Sequence, residues 1–326
     1  MKLVMMGTGV FALPTLRTLI ESNHEVVGLF TQPDRHGRGH HQHINPMKAL
    51  AEEHQIPVFQ PIKANAPESI QDLQSLDADL CVVAAYGQIL SQELLDTPKQ
   101  GAINLHASLL PKYRGAAPIQ WAVKKGEQET GVTIFQIEPK LDAGPVWGVV
   151  STPIGTNETY GELQDRLALM GAELCLEVLG RIESGTYTPV VQDHNQLTLA
   201  PRLAKEDGEI DWTSPAAAIN SHVRAVQPWP KPTTVLELQK RKPLNVQILQ
   251  TKPKQEFDSE FDLEATSSAI PGEIIQVTKH ELCVRTGNNE NLLIEKIQPA
   301  GKKLMEIDEF LRGYQPKPGD RFVNRN

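Results

Sequence analysis

An amide, an imidazole and a carboxylate, Asn104, His106 and Asp142, are the side chains of this 326-residue sequence whose types and spacing suit chemistry. The segment INLHASLLPKYRGAAPIQWA begins at Ile103, and its first residues read as a strand. Side chains alternate in direction along a strand, so an Asn-x-His pair puts Asn104 and His106 on one side of the chain. About 36 residues beyond His106, the strand-like GVTIFQI gives way to Glu138-Pro-Lys-Leu-Asp142-Ala-Gly144-Pro, a turn-rich stretch able to bring Asp142 to the same end of a sheet. These three suit transfer of an acyl-type group to an amine. The amide donates to the oxygen of a tetrahedral intermediate, the imidazole polarises it or handles protons, and the carboxylate orients the imidazole directly or through water. No serine or cysteine nucleophile is required when the attacking amine belongs to the substrate. A histidine hydrogen-bonded for structure alone is the competing reading, and it loses ground because three such residues fall at loop ends.

Such residues need a scaffold that gathers loop ends. Lys2 to Met6 is an apolar run ending in glycine, Phe11 to Ile20 repeats apolar residues at helical spacing, and Glu25 to Phe30 is β-branched, which together read as β-α-β. The alternation continues with a helix over Pro46–His54, a strand over Ile56–Phe59, a helix over Ala66–Asp77 and a buried strand over Leu80–Ala84. Ala102–Leu105 and Gly131–Ile137 read as strands around a helix over Ala117–Lys125, and Thr159–Ser184 is the longest helix. Strands separated by helices indicate a parallel, doubly wound sheet, which binds ligands at the carboxyl ends of its strands. The pattern stops after Gly185, so residues 189–206 are expected as a linker between a first domain, 1–188, and a second, 207–326. In the second, one helix (Ser214–Val226) precedes five short strand-like runs between Thr234 and Ile297, which suggests a small OB-like β-barrel. The fold class is thus α/β, a Rossmann-like domain followed by a small barrel.

Composition narrows the function. The 40% hydrophobic and 22% charged residues are those of a globular chain. No run is long enough to span a bilayer, and the start MKLVMMGTGV lacks the h-region of a secretory signal, so a cytoplasmic protein without a membrane partner is expected. Cys81, Cys175 and Cys283 have no metal-type spacing and read as small buried hydrophobes. The net charge of −8 divides unevenly: residues 1–207 hold 16 basic against 24 acidic side chains, and residues 208–326 hold 16 of each. Five acids of the second part (Glu256, Asp258, Glu260, Asp262, Glu264) fall within the polar stretch 252–268, and without them that part would stand at +5. A basic face that grips nucleic acid is compatible with this balance.

Gly7-Thr-Gly9-Val-Phe-Ala12 matches the dinucleotide fingerprint and raises an NAD-dependent oxidoreductase as a rival. The acid expected at the tip of the second strand is missing, because that strand ends Leu29-Phe-Thr-Gln-Pro-Asp34. Glycine in such a turn also has a purely steric explanation. His36, His40, His41 and His43 cluster in DRHGRGHHQHIN without a supporting carboxylate beyond Asp34, so no metal is expected.

At Asn104-x-His106 with HASLLPKYRGAAPIQ, and GVTIFQIEPKLDAGPV after it, the sequence resembles the folate-dependent formyltransferase superfamily. The likeness begins with MGTGVFALPTL and FTQPDRHGRG, passes through AAYGQIL, and resumes in IDWTSPAAAINSHVRAVQPWP and IQPAGKKLM, covering nearly the full length. It implies a formyl group passed from 10-formyltetrahydrofolate, as donor cosubstrate, to the α-amine of methionyl initiator tRNA. It also implies Asn104, His106 and Asp142 as catalytic residues, and a folate site formed by Ser108, Leu109, Leu110 and Pro111 with Gln88, Ile89 and Leu90. Arg38, Arg224, Lys302 and Lys303 are implied as tRNA contacts, and a monomer is expected. His40 and His41 stand where relatives commonly carry lysine, and Gly-Thr-Gly replaces the commoner Gly-Thr-Pro. The rivals are a formyltransferase acting on a small amine, such as a sugar nucleotide or glycinamide ribonucleotide, and an idle tRNA-binding module.

Overall fold

The computed structural model describes residues 1–34, 45–239, 241–254 and 268–324. The chain divides into two compact units, one of residues 1–119, 129–154 and 162–202, the other of 120–128, 155–161 and 203–326.

The first unit is built on a seven-stranded sheet of order β3-β2-β1-β4-β5-β6-β7. Its strands are β1 (Lys2–Gly7), β2 (Glu25–Phe30), β3 (Val58–Phe59), β4 (Leu80–Ala84), β5 (Ala102–His106), β6 (Glu129–Gln136) and β7 (Val146–Pro153). Helices α1 (Leu13–Ile20), α2 (Pro46–Glu53), α3 (Pro67–Ser75), α4 (Gln92–Leu95), α5 (Pro118–Lys124) and α6 (Tyr160–Ser184) lie between or after them. The central strands read as continuous apolar runs because both faces are covered: Leu3, Val4, Met5, Met6, Cys81 and Val82 are wholly buried. On α6 the apolar stripe buries Leu163, Leu167, Leu174 and Val178 at spacings of four and seven residues, while Glu173 and Glu177 face solvent.

Strands β1 to β5 pair parallel, as the alternation requires. The doubly wound sheet is parallel over these five strands and turns antiparallel at the far edge, where β6 runs antiparallel to β5 and β7 antiparallel to β6. Opposite His106 at the end of β5 stands Thr133, in the middle of β6. A parallel strand would require the connection to recross the sheet, whereas β6 starts from the rim at which β5 ends.

The stretch expected as a linker pairs with the first unit. Val190 bridges Val146 on the edge strand, and Leu199 bridges Arg114.

The second unit contains α7 (Ala216–Ala225), strands β8 (Thr233–Glu237), β9 (Leu244–Lys254), β10 (Ile274–Val277), β11 (Leu282–Arg285), β12 (Asn291–Pro299), β13 (Met305–Glu306) and β14 (Arg321–Val323), and α8 (Ile307–Tyr314). The strands follow the order β10-β11-β12-β9-β8-β14, with β13 on β12. A bridge between Glu273 and Arg321 joins the two end strands and nearly closes the barrel, which leaves little free edge. Trp212 stacks on Phe322 at 5.1 Å and donates its indole N–H to Thr234 Oγ1 at 3.0 Å, so its one polar atom is satisfied inside the core. Ile219 and Val223 of α7 and Phe310 of α8 complete that core.

Burial pushes the His222 imidazole on α7 down to about 4, with Lys124 adding to the effect. The folded state therefore favours neutral His222, a contribution fully present above pH 6.5 and lost as pH falls toward 4. It amounts to at most about 3 kcal/mol. Urea unfolding of His222→Gln followed from pH 7 to pH 4 should lose much less stability than the parent over that window; equal slopes would refute the assignment.

Candidate active site

The period of two on β5 places Asn104 and His106 on one face, about 7 Å apart along the strand. The imidazole is buried, 5% exposed, and its Nε2 lies 2.9 Å from the Tyr113 carbonyl oxygen. A carbonyl only accepts, so Nε2 carries the proton and the unprotonated Nδ1 of the neutral ring is left to face Asp142. The Nδ1 to Oδ2 separation is 3.8 Å, too long for a direct hydrogen bond. Burial holds the His106 pKa below the usual histidine value, Asp142 and the Tyr113 carbonyl pull it back up, and Arg114 lowers it. The ring is therefore neutral at pH 7 and has an acceptor nitrogen beside a carboxylate. The Asn104 side chain is only partly buried and makes no hydrogen bond among the described residues, which leaves its amide free to donate.

Asp142 is fixed from several directions. Its Oδ2 accepts from the Gly115 amide at 2.8 Å, and its own backbone takes a left-handed φ of +44°. Two residues on, a Cβ on Gly144 would fall 1.8 Å from the Gln136 carbonyl oxygen, so no larger residue fits without moving the loop. Residues 108–115 form a compact turn: the Ser108 hydroxyl donates to the Lys112 carbonyl at 2.7 Å, and Thr133 Oγ1 bonds both the Ser108 carbonyl and the Leu110 amide. Segment 198–200 then runs alongside, with Arg114 donating its amide to the Thr198 carbonyl and accepting from the Ala200 amide.

Sequence reasoning missed Arg114, Thr133 and Gln192 as members of this neighbourhood. All three are polar and buried, at 2%, 0% and 6% exposure. The unusual feature, polar side chains without access to water, becomes visible only once the fold is known.

The other expected residues fall as follows. Ser108 is fully buried, while Leu109, Leu110 and Pro111 are half-buried on the turn beside Thr133. Gln88 spends its side-chain amide on the Ala64 amide and the Pro61 carbonyl, Leu90 points into the core, and Ile89 is 82% exposed. In the second unit Lys302 and Lys303 are both exposed on the turn between β12 and β13. Arg224 on α7 is half-buried, its guanidinium donating to the carbonyls of Gly155 and Glu158 and to Ser221 Oγ. Arg38, like His36, His40, His41 and His43, lies outside the described residues. The fingerprint glycine has a packing explanation: a Cβ on Gly7 would meet Ala12 Cβ at 2.8 Å and the Ala84 carbonyl at 2.9 Å. Asp34, the late acid, is engaged by Lys48 at 2.9 Å and Gln60 at 3.1 Å. The three cysteines are buried and free, and burial raises each thiol, Cys283 to about 11, so none supplies a thiolate. Among the described residues no helix is long and apolar enough to cross a membrane.

A neutral imidazole, a carboxylate and a free amide on a doubly wound sheet have the chemistry that acyl-type group transfer requires. The chain belongs to the formyl transferase family: residues 1–179 match the model described as formyl transferase, and residues 202–315 that of the formyl transferase C-terminal domain. It is 44% identical over 320 residues to a protein of Citrifermentans bemidjiense named methionyl-tRNA formyltransferase, covering 98% of this chain and 95% of that one. A Bacillus subtilis protein of the same name is 40% identical, with 98% and 96% covered. Among solved structures, the sugar 3N-formyl transferase WlaRD shares the fold at a TM-score of 0.65 and 16% identity, over 93% of this chain and 99% of that chain. HypX of Aquifex aeolicus, solved with tetrahydrofolic acid, gives a TM-score of 0.59 at 16% identity over the whole of this chain, which spans 48% of that one.

Substituting Gly144→Ala should push the Asp142 loop off the Gln136 carbonyl and cut turnover at least about tenfold while the protein still melts cooperatively. Steady-state kinetics beside a thermal melt would show it, and parental turnover would refute the packing argument.

Proposed function

We propose that the protein transfers the formyl group of 10-formyltetrahydrofolate to the α-amine of methionyl initiator tRNA, with Asn104, His106 and Asp142 as the catalytic residues. The observation that carries the chemistry is His106, held neutral against the Tyr113 carbonyl with Nδ1 facing Asp142, on the same strand face as the free Asn104 amide. The acceptor is supported by likeness to proteins named methionyl-tRNA formyltransferase over nearly the whole of both chains, C-terminal domain included. Small-amine formyltransferases such as WlaRD share the fold at far lower identity.

The neutral amine attacks the formyl carbon, and the Asn104 amide donates to the oxygen as it becomes an oxyanion. The proton leaving the amine passes to His106 Nδ1, directly or through one water. The resulting imidazolium then lies between two acceptors, the Tyr113 carbonyl and the Asp142 carboxylate, which stabilise it where water cannot. Breaking the bond from the formyl carbon to N10 of the folate completes transfer, and that nitrogen takes the proton. An ester-linked α-amine is less basic than a lysine, so positioning and oxyanion stabilisation supply most of the rate. Leu109, Leu110 and Pro111, with exposed Ile89 and the backbone at Gln88 and Leu90, offer apolar surface and backbone hydrogen bonds to the flat ring of the donor. No step calls on a metal.

In this reading the first unit, extending to the stretch 189–202, performs the transfer, and the second grips the tRNA. Lys302, Lys303 and Arg224 are its phosphate contacts, and Arg38 adds one from the first unit. The protein works in the cytoplasm as a monomer.

Purified protein should move labelled formyl from 10-formyltetrahydrofolate to methionyl initiator tRNA and leave a sugar-nucleotide amine and glycinamide ribonucleotide unlabelled; label on either small amine alone would overturn the acceptor. His106→Ala should lose transfer while tRNA binding persists. Replacing Lys302 and Lys303 together by Ala should weaken tRNA binding and flatten its dependence on salt, by about 0.7–0.9 in log–log slope for each lysine. An unchanged slope in filter binding would remove both from the contact set.

A further inference from the structure

We infer that Gln192 is a positioning residue for formyl transfer, holding the backbone of the Asp142 loop so that the carboxylate stays beside His106. The inference rests on the catalytic reading of Asp142 given above.

Three features carry it. First, Asp142 is a non-glycine residue in the left-handed region, a strained conformation that persists only where the surroundings enforce it. The Gln192 side chain supplies that enforcement: its Nε2 donates to the Asp142 carbonyl at 2.9 Å and to the Gly144 carbonyl at 2.8 Å, gripping the loop on both sides of Ala143. Second, Gln192 is buried while its neighbours Val191, Asp193 and His194 are exposed. An amide is costly to bury unless its hydrogen bonds are made, and here both amide hydrogens and the oxygen have partners. Third, Gln192 Oε1 accepts from Arg114 Nη2 at 2.5 Å, and the same Nη2 meets His194 Nδ1 at 2.9 Å. Arg114 is a buried cation with no carboxylate in ion-pair contact among the described residues. One glutamine thus ties that cation to the loop bearing the catalytic carboxylate. Glutamate would keep the acceptor for Arg114 and lose both donors to the loop. Asparagine would be one carbon too short.

A role confined to stability and a role in positioning Asp142 differ in what they do to His106. The charged groups facing His106 are Asp142, which raises its pKa, and Arg114, which lowers it, with His194 on the far side of Arg114. Loosening the Asp142 loop weakens the raising influence, so His106 should titrate at lower pH, the same direction as in Asp142→Asn.

The test uses the full chain with Gln192→Ala, Gln192→Met, Gln192→Glu, Asp142→Asn and the double variant Gln192→Met with Asp142→Asn. It reads kcat, KM for both substrates, melting temperature, and His106 titration by NMR of the ring. Gln192→Met keeps the length without hydrogen bonds and carries the test should the alanine variant not fold. The expected result is a loss of about 10- to 100-fold in kcat for Met and Glu alike, with both KM values within about twofold of the parent. In Gln192→Met His106 should titrate lower, and the double variant should be no slower than Asp142→Asn alone within about twofold. Parental kcat in Gln192→Met or Gln192→Glu overturns the inference. So does a double variant showing the full product of the two losses with His106 titration unmoved. If Asp142→Asn itself retains parental transfer, the catalytic reading of the site fails, and that outcome is separate from a failure of Gln192 alone.

Discussion

A neutral imidazole kept out of water at the rim of a sheet is the constraint from which the rest of the site follows. Burial penalises the charged ring, yet a ring that can never accept a proton is useless to an amine shedding one. The compromise at His106 uses two acceptors. The Tyr113 carbonyl takes the Nε2 hydrogen and fixes the tautomer, and Asp142 faces Nδ1 from 3.8 Å without bonding to it in the resting state. The carboxylate is therefore better matched to an imidazolium than to the neutral ring, and in the proposed transfer this supplies a difference between ground state and transition state that accelerates the reaction.

That arrangement imposes demands on the loops. Tyr113 presents its carbonyl from a backbone at φ +62°, and Asp142 presents its carboxylate from one at +44°, neither conformation being comfortable for its residue. Each is held by neighbours remote in sequence: the Tyr113 amide donates to Thr198 Oγ1 at 2.8 Å, and the carbonyls around Asp142 are held by Gln192. The antiparallel turn of the sheet at β6 serves the same purpose, since it brings Thr133 opposite His106, where its hydroxyl pins the Ser108–Leu110 backbone.

These demands explain what the sequence discloses and what it hides. The central parallel strands β1 and β4 are legible because burial on both faces leaves continuous apolar runs, and Asn104 with His106 is legible because strand geometry alone puts them on one face. The edge strand β7 is not, since VWGVVSTP alternates irregularly and holds both Gly148 and Pro153, so it reads as the tail of a turn. Helix α8 and strands β13 and β14 are short enough that packing around Phe310 and Phe322, rather than local propensity, decides them. The stretch 189–202 misleads most. Its composition is that of a linker because only Gln192 and Ala200 among residues 189–200 are buried, and one of those two reaches the active loop.

Catalysis and tRNA binding also differ in how they use charge. The first unit buries Arg114 and sets its guanidinium on the Gln192 amide oxygen and the His194 imidazole, with Asp142 near enough to act on it through space, where low dielectric makes each interaction strong and its loss costly. On the second unit Lys302 and Lys303, the proposed tRNA contacts, stay in water on long side chains, where each gains little alone and attraction to a polyanion would come from released counterions. A protein of net charge −8 can bind nucleic acid under that division, because binding requires only a local face of exposed cations whereas solubility follows the whole surface. Arg224 shows the limit of reading such a face from sequence. It has the charge of a phosphate contact, yet both terminal nitrogens are engaged by Gly155, Glu158 and Ser221, so whatever it contributes to tRNA must come in addition to holding its own unit together.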